Sequence, residues 1–294
     1  MTFANLKSAI QKFVPELMSA DIGTFINIRY QQLLKNWQWS FLKGYKNLTL
    51  VAPYGTGTVS VTNGSATVTG SGTSWTSGMA GRHFRLSNAI PFYKILSVTD
   101  ATHLELSSAY GSNDAAGQAY TIFQHIYSLA SDCREIIKIV YDFPMQEKSV
   151  EWIERNDPDR SLNGKPLYWT DRGLDSSNYR QIEVYPMPDD NYVIRYSYWK
   201  TITDLSANAD TPLIRDDLLI EASLIDCYRI ASNKNPNYVP LIATAAASCQ
   251  KLWVDAVEED MRKSSAEMEV RDYSEGGRLG DDFFVDHWEG GRTF

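Results

Sequence analysis

The chain has 294 residues, 43% hydrophobic and 22% charged, with a net charge of −8, which is enough for two domains or for one core with a sizeable insertion. No apolar run approaches the roughly 20 residues that span a bilayer, and Lys12 and Glu16 interrupt the N-terminal stretch, so neither a membrane span nor a signal peptide is read. Residues 1–209 hold 19 acidic and 19 basic side chains and residues 210–294 hold 17 and 9, so the acidic C-terminal third is unsuited to gripping nucleic-acid phosphates.

The first forty residues read as helix. Leu6, Ile10, Phe13 and Leu17 fall at i, i+4, i+7 and i+11, and Pro15 is set to end or kink that helix. Ser19 and Asp21 are placed to cap a second helix from about residue 22 to 42. Its end, WQWSFLKGY, offers Gly44 as the residue after the cap. Trp37, Trp39 and Phe41 read as core, with a subunit interface as the alternative.

Between Tyr54 and Gly81 there is no charged side chain, and 19 of 28 residues are Gly, Ser or Thr. Such a composition suits a flexible linker. Here Val59 and Val61 alternate with Thr58, Ser60 and Thr62, and Ala66 and Val68 with Thr67 and Thr69, which is the period of half-buried strands. Asn63-Gly64 between the runs predicts a tight turn with positive φ at both residues. Strands are expected at 58–62, 66–70, 83–86, 92–98, 104–106 and 119–123, a spacing that fits a small antiparallel sandwich or barrel. Trp75, in a Ser/Gly loop, is placed to plug one end.

From Ile126 a second β unit is expected, with alternating strands at 181–185 and 192–199 and a polar loop through NDPDRSLNGKPLYWTDRG. Helix returns from residue 213 to about 271. Asp216 and Asp217 suit its first turn, and SNKNPNYVP divides it. The stripe after the break is Leu241, Ala245, Leu252, Ala256 and Met261. The last 23 residues carry six acids, two arginines, five glycines and five aromatics without a period. They read as an extended tail whose apolar anchors are Tyr273, Phe283, Phe284, Trp288 and Phe294.

Little here carries chemistry. Four histidines (83, 103, 125 and 287) are too few and scattered for a metal site, although His83 and His103 are within one β module. HExxH, GxSxG, P-loop and dinucleotide-binding signatures are missing. GSGTS at 70–74 joins strands and has no following helix or lysine. NDPD at 156–159 and PDD at 188–190 are the best carboxylate pair for a hydrolase, through Asp157 and Asp190, and nothing fixes their separation. RHFR at 82–85 reads as a small basic patch held in a salt bridge. Cys133, Cys227 and Cys249 read as buried free thiols of a protein made in a reducing cytoplasm.

The run from Val59 to Trp75 follows the pattern V-x-V-T-x-G-S-x-x-V-T-G-x-G-T-x-W, and residues 81–85 follow G-x-x-F/I-R. A Y-x-I-x-S-V-x-x-x-T-x-L-x-L hairpin at 93–106, then YTIFQ and YSLASD, complete a set that resembles the β insertion of tailed-phage head-to-tail adaptor (connector) proteins, of the SU10 type of short-tailed phage. Val59, Asn63, Gly64, Trp75, Gly81 and Arg85 carry the resemblance. Ala130 departs from it, standing where the pattern prefers proline. The resemblance implies a non-enzymatic virion protein of the tail or neck, made in the host cytoplasm and needing no cofactor or metal. It would form a ring of about twelve copies on the portal protein, join nozzle, tail or tail-fibre proteins below, and let packaged DNA pass without specific binding. The C-terminal segment is the part expected to reach the portal.

The fold class expected is α+β. A helical bundle of N- and C-terminal helices (1–47 and 210–271) is interrupted by an all-β, small sandwich or barrel-like insertion (48–125) and a second β unit (126–209), and followed by an extended tail (272–294). The alternative function is a tail-associated receptor- or carbohydrate-binding protein using Trp75, Trp169 and the polar loops as its platform.

Overall fold

The computed structural model describes residues 1–86 and 91–264. The chain divides into two compact units, one of Met1–Lys43 with the chain from Ile202 onward, the other of Gly44–Thr201.

The first unit is helical: α1 (Phe3–Gln11), α2 (Ser19–Lys35), α4 (Asp216–Ser232) and α5 (Val239–Ser264). Thr2 caps α1 by accepting from the Asn5 amide. The helix stops at Gln11, so the inward side chains are Leu6, Ile10 and then Val14, while Phe13 is 55% exposed. Neither Ser19 nor Asp21 caps α2; Met18 stands at its N-cap without a side-chain hydrogen bond. That helix also ends seven residues before the expected point, at Lys35, because the next turn is taken by other bonds. Trp39 Nε1 donates to the Leu33 carbonyl at 3.0 Å, and the Asp260 carboxylate accepts from the Ser40 amide and hydroxyl and from Trp37 Nε1. Trp39 packs edge-on against Trp253 and is buried.

Arg29 lies inside this unit. Its Nε and Nη2 donate to the two carboxylate oxygens of Asp226 at 2.6 and 2.8 Å, tying α2 to α4. A bidentate pair of this kind is strong and directional. On α5 the inward stripe is Ile242, Ala245, Cys249, Trp253, Ala256 and Asp260; it keeps Ala245 and Ala256 of the stripe read in the sequence, but Ile242, Trp253 and Asp260 take the inward places expected of Leu241, Leu252 and Met261, and Leu241 is 40% exposed. Burying each large apolar residue of such a stripe contributes roughly 1.5–3 kcal/mol. All three cysteines are buried and free. No helix among the described residues is long and apolar enough to cross a membrane.

The second unit contains three sheets. Strands β1 (Lys43–Leu50), β15 (Tyr192–Lys200), β10 (Cys133–Tyr141) and β11 (Phe143–Pro144) form one in that order, and β12 (Gln146–Glu147), β13 (Tyr168–Leu174), β14 (Arg180–Tyr185) and β9 (Ile126–Ser128) another. The third has seven strands, in the order β7 (Ala115–Gln118), β2 (Thr58–Val61), β3 (Thr67–Ser71), β6 (His103–Leu106), β5 (Tyr93–Asp100), β4 (His83–Leu86), β8 (Tyr120–Phe123). Its outer strands β7 and β8 are separated by Ala119 alone, and Tyr54 bridges to Ile122. The sheet must therefore curl until its edges approach, giving a half-barrel. A short helix, α3 (Val150–Asn156), also belongs to this unit and is capped by Ser149.

The expectation of a helical bundle carrying a small β insertion is overturned. The described residues hold fifteen strands in three sheets and five helices, and the β unit has two hydrophobic cores of its own. Several of the elements that the sequence reading does not mark are short or irregular: β7 reads AAGQ, α3 is seven residues long, and β13 lies in a stretch rich in turn residues. None shows a hydrophobic period long enough to see.

Candidate functional site

The residues singled out in the β module are placed by its core. Val59 is buried, paired with Gly70 across the β2–β3 hairpin. Asn63 and Gly64 lie in its connection, but only Gly64 has positive φ, +79°. The turn is closed by the Ser65 amide on the Thr62 carbonyl at 3.0 Å, and Asn63 is held by its amide on Asp114 instead. Gly81, at φ +83°, donates to the Ile95 carbonyl at 2.9 Å. Trp75 is buried, edge-on to Tyr120, with Nε1 donating to the Tyr120 hydroxyl at 2.9 Å. Tyr273, Phe283, Phe284, Trp288 and Phe294 lie outside the described residues.

Arg85 does not form the salt bridge expected of the RHFR patch. Its Nη1 donates to the carbonyls of Asp159 and Arg160 at 3.0 and 3.1 Å, and its guanidinium lies over the Phe123 ring. It thereby leads to a buried charge cluster that the sequence did not reveal. Glu183, on β14, is fully buried and accepts from Arg160 Nε at 2.5 Å and Arg172 Nε at 2.7 Å. Arg160 also donates to Glu154 on α3 and to the carbonyls of Asp157 and Pro158. Its hydrogen bond to Glu154 holds that carboxylate below its usual range. Strand alternation in QIEVY sets Glu183 on the face opposite Ile182 and Val184, and nothing in the sequence names two arginines from different elements as its partners there.

The histidines fall out differently from the expected pairing. His103 bonds Asp100 within its own hairpin. His83 instead packs against His125, with ring centroids 4.6 Å apart and the rings tilted by 41°. Burial pushes both imidazoles down, with neighbouring cations adding to the effect, His83 to about 4 and His125 to about 2. Among the described residues, no group of three or more His, Cys, Asp or Glu is placed to hold a metal ion.

The other candidate groups hold structure together. Asp157 is buried and accepts from the Ser161 amide and hydroxyl and the Leu162 amide, shaping the loop that carries Arg160. In the 188–190 turn, Asp189 accepts from the Tyr192 hydroxyl and Asp190 from the Asn191 amide. Gly70 fits because a Cβ there would lie 2.4 Å from Thr73 Oγ1, and that hydroxyl donates to the Ala101 carbonyl. Trp75 and Trp169, the rings suggested for a sugar platform, are both buried, 4% and 6% exposed, and offer no face to a ligand.

Among the described residues, the groups singled out in the sequence thus serve as loop, strand and core contacts. The SU10 adaptor protein family profile matches residues 1–275, and the chain belongs to that family. Its role is that of a phage structural adaptor in the virion, in contact with other head–tail components. No curated protein matches the chain.

Proposed function

We propose that the chain is the head-to-tail adaptor that forms a ring on the portal, joins it to the tail below and lets DNA pass through its channel. The observation that carries this reading is the family match across 1–275, which covers the whole β unit and the helical unit up to residue 275. Twelve copies is the number the resemblance implies, with nozzle or tail-fibre proteins as the partners below.

The charge distribution supports a division of labour. Residues 272–294 combine six acids with the aromatics Tyr273, Phe283, Phe284, Trp288 and Phe294. Aromatic side chains are strong anchors in interface pockets, and a negative segment is drawn to a basic partner surface. Ordering of such a segment on contact would couple ring assembly to portal binding. An acidic channel wall would let DNA slide without adhering. The test is a chain truncated after Arg271, compared with the full chain by native mass measurement and portal co-sedimentation. The full chain is expected as a monomer alone and as a ring with portal, and the truncated chain as a folded monomer that does not bind. Normal docking by the truncated chain would remove the tail from the mechanism.

A further inference from the structure

Within the β unit the two hydrophobic cores share no residue: one fills the half-barrel and the other draws on both four-stranded sheets. The chain crosses from the first to the second at Gln124 and His125, between β8 and β9. Rings fill the crossing. His83 from β4 packs on His125, on Phe92 at 5.2 Å and on Phe123 at 5.7 Å, and Phe123 stacks on His125 at 5.6 Å. Behind them Glu183 Oε1, which accepts from Arg160, lies 3.9 Å from His125 Nε2, and Glu183 Oε2 is held by Arg172. Arg85 reaches across from β4 to the carbonyls of Asp159 and Arg160.

The Nδ1 atoms of His83 and His125 are both buried without a hydrogen-bond partner. A neutral imidazole can leave one nitrogen as a bare acceptor, whereas an imidazolium must donate from both, and a buried unpaired charge is costly. The charged groups that face the pair are Lys94 of β5, Arg85 of β4, Arg160 of the loop after α3, Arg172 of β13 and Glu183 of β14. Four cations thus confront two histidines, and the single carboxylate is committed to two of those cations.

We propose that this crossing is an acid-operated joint: protonation of His83 and His125 releases the half-barrel from the four-stranded sheets while each keeps its own core. An opened, hydrated joint binds protons at the ordinary histidine value of about 6.5, the closed joint far more weakly. Closure is therefore complete above that pH and weakens as pH falls toward the depressed value of about 4 at His83. Between pH 7.5 and 5 each histidine multiplies the open-to-closed ratio by about 30, and the two together by roughly a thousand. The inference does not depend on the portal reading.

Amide hydrogen exchange on the full chain, corrected for the intrinsic effect of pH, tests it. The Val184 amide donates to the His125 carbonyl at 3.0 Å, holding the crossing residue to β14, whereas Val68 lies in the half-barrel core. Protection at Val184 is expected to fall by roughly a thousandfold from pH 7.5 to 5 while Val68 keeps its protection. In His83→Phe/His125→Phe the loss at Val184 should disappear. If that variant does not fold, His83→Gln should reduce the loss to about 30-fold. Protection at Val184 that stays within about fivefold in the native chain, falls equally in the variants, or falls in step with Val68 overturns the joint.

Discussion

Replacing Glu183 by Gln removes the charge around which the β unit's buried cluster is built. The carboxylate accepts from Arg160 Nε at 2.5 Å and Arg172 Nε at 2.7 Å. Glutamine keeps one acceptor oxygen but turns a donor toward the second guanidinium. Hydrogen bonds to charged groups contribute about 1.5–3 kcal/mol each, and breaking one member of a buried ion pair costs about 3–5 kcal/mol. Two features favour the lower end. Arg160 retains Glu154 at 2.5 Å and the Asp157 carbonyl at 2.7 Å, and the Arg172 side chain is 24% exposed, so water can reach it. The expected loss is about 3 kcal/mol, confined to the β unit. Urea unfolding followed by amide hydrogen exchange at Val68 and Ile182 of the β unit, in parallel with helix ellipticity, separates the units. A double-mutant cycle with Arg172→Met should return a coupling of about 1–2 kcal/mol. A loss below about 1 kcal/mol, or an equal shift in the helical signal, would show that the cluster does not hold the sheets.

Substitutions at four further positions probe other parts of the structure. Asp260→Ala strips the Ser40 amide and hydroxyl and Trp37 Nε1 of their acceptor; a loss of about 2–3 kcal/mol is expected in the helical transition by thermal melting, with Asp260→Asn recovering part of it. Gly57→Ala and Gly64→Ala both place alanine at positive φ, +86° and +79°, but a Cβ at Gly57 would lie 2.5 Å from the Ser71 carbonyl oxygen while that at Gly64 meets open space. Gly64→Ala should therefore cost only the backbone term, about 1–2 kcal/mol, and Gly57→Ala clearly more in the same urea assay; equal costs would show that close strand approach is not the constraint. Trp75→Phe should cost about 1–2 kcal/mol through the lost bond to Tyr120, and Trp75→Ala about 3–5 kcal/mol through the cavity it leaves, measured by urea unfolding.

Local order is what the sequence by itself determined. The alternation of Val59 and Val61 with hydroxyl residues placed β2, and the fourfold spacing of Leu6 and Ile10 placed the buried side of α1, because side-chain period follows directly from backbone geometry. The family resemblance was legible in the same hairpins, and the match over 1–275 bears it out. Elements shorter than one clear period were not legible. AAGQ forms β7 because the curled sheet brings β2 alongside it, and Val150–Asn156 is helix because Ser149 caps it beside β13. The partners of charged groups were equally hidden. Arg29 reads as a polar helix position and is instead buried on Asp226, 197 residues away. His83 pairs with His125 rather than with His103 of its own module, and Glu183 gathers arginines from a loop and a neighbouring strand. Periodicity records which way a side chain faces, but a buried charge is stabilised by whatever opposite charge the fold brings to it, and only tertiary structure decides that.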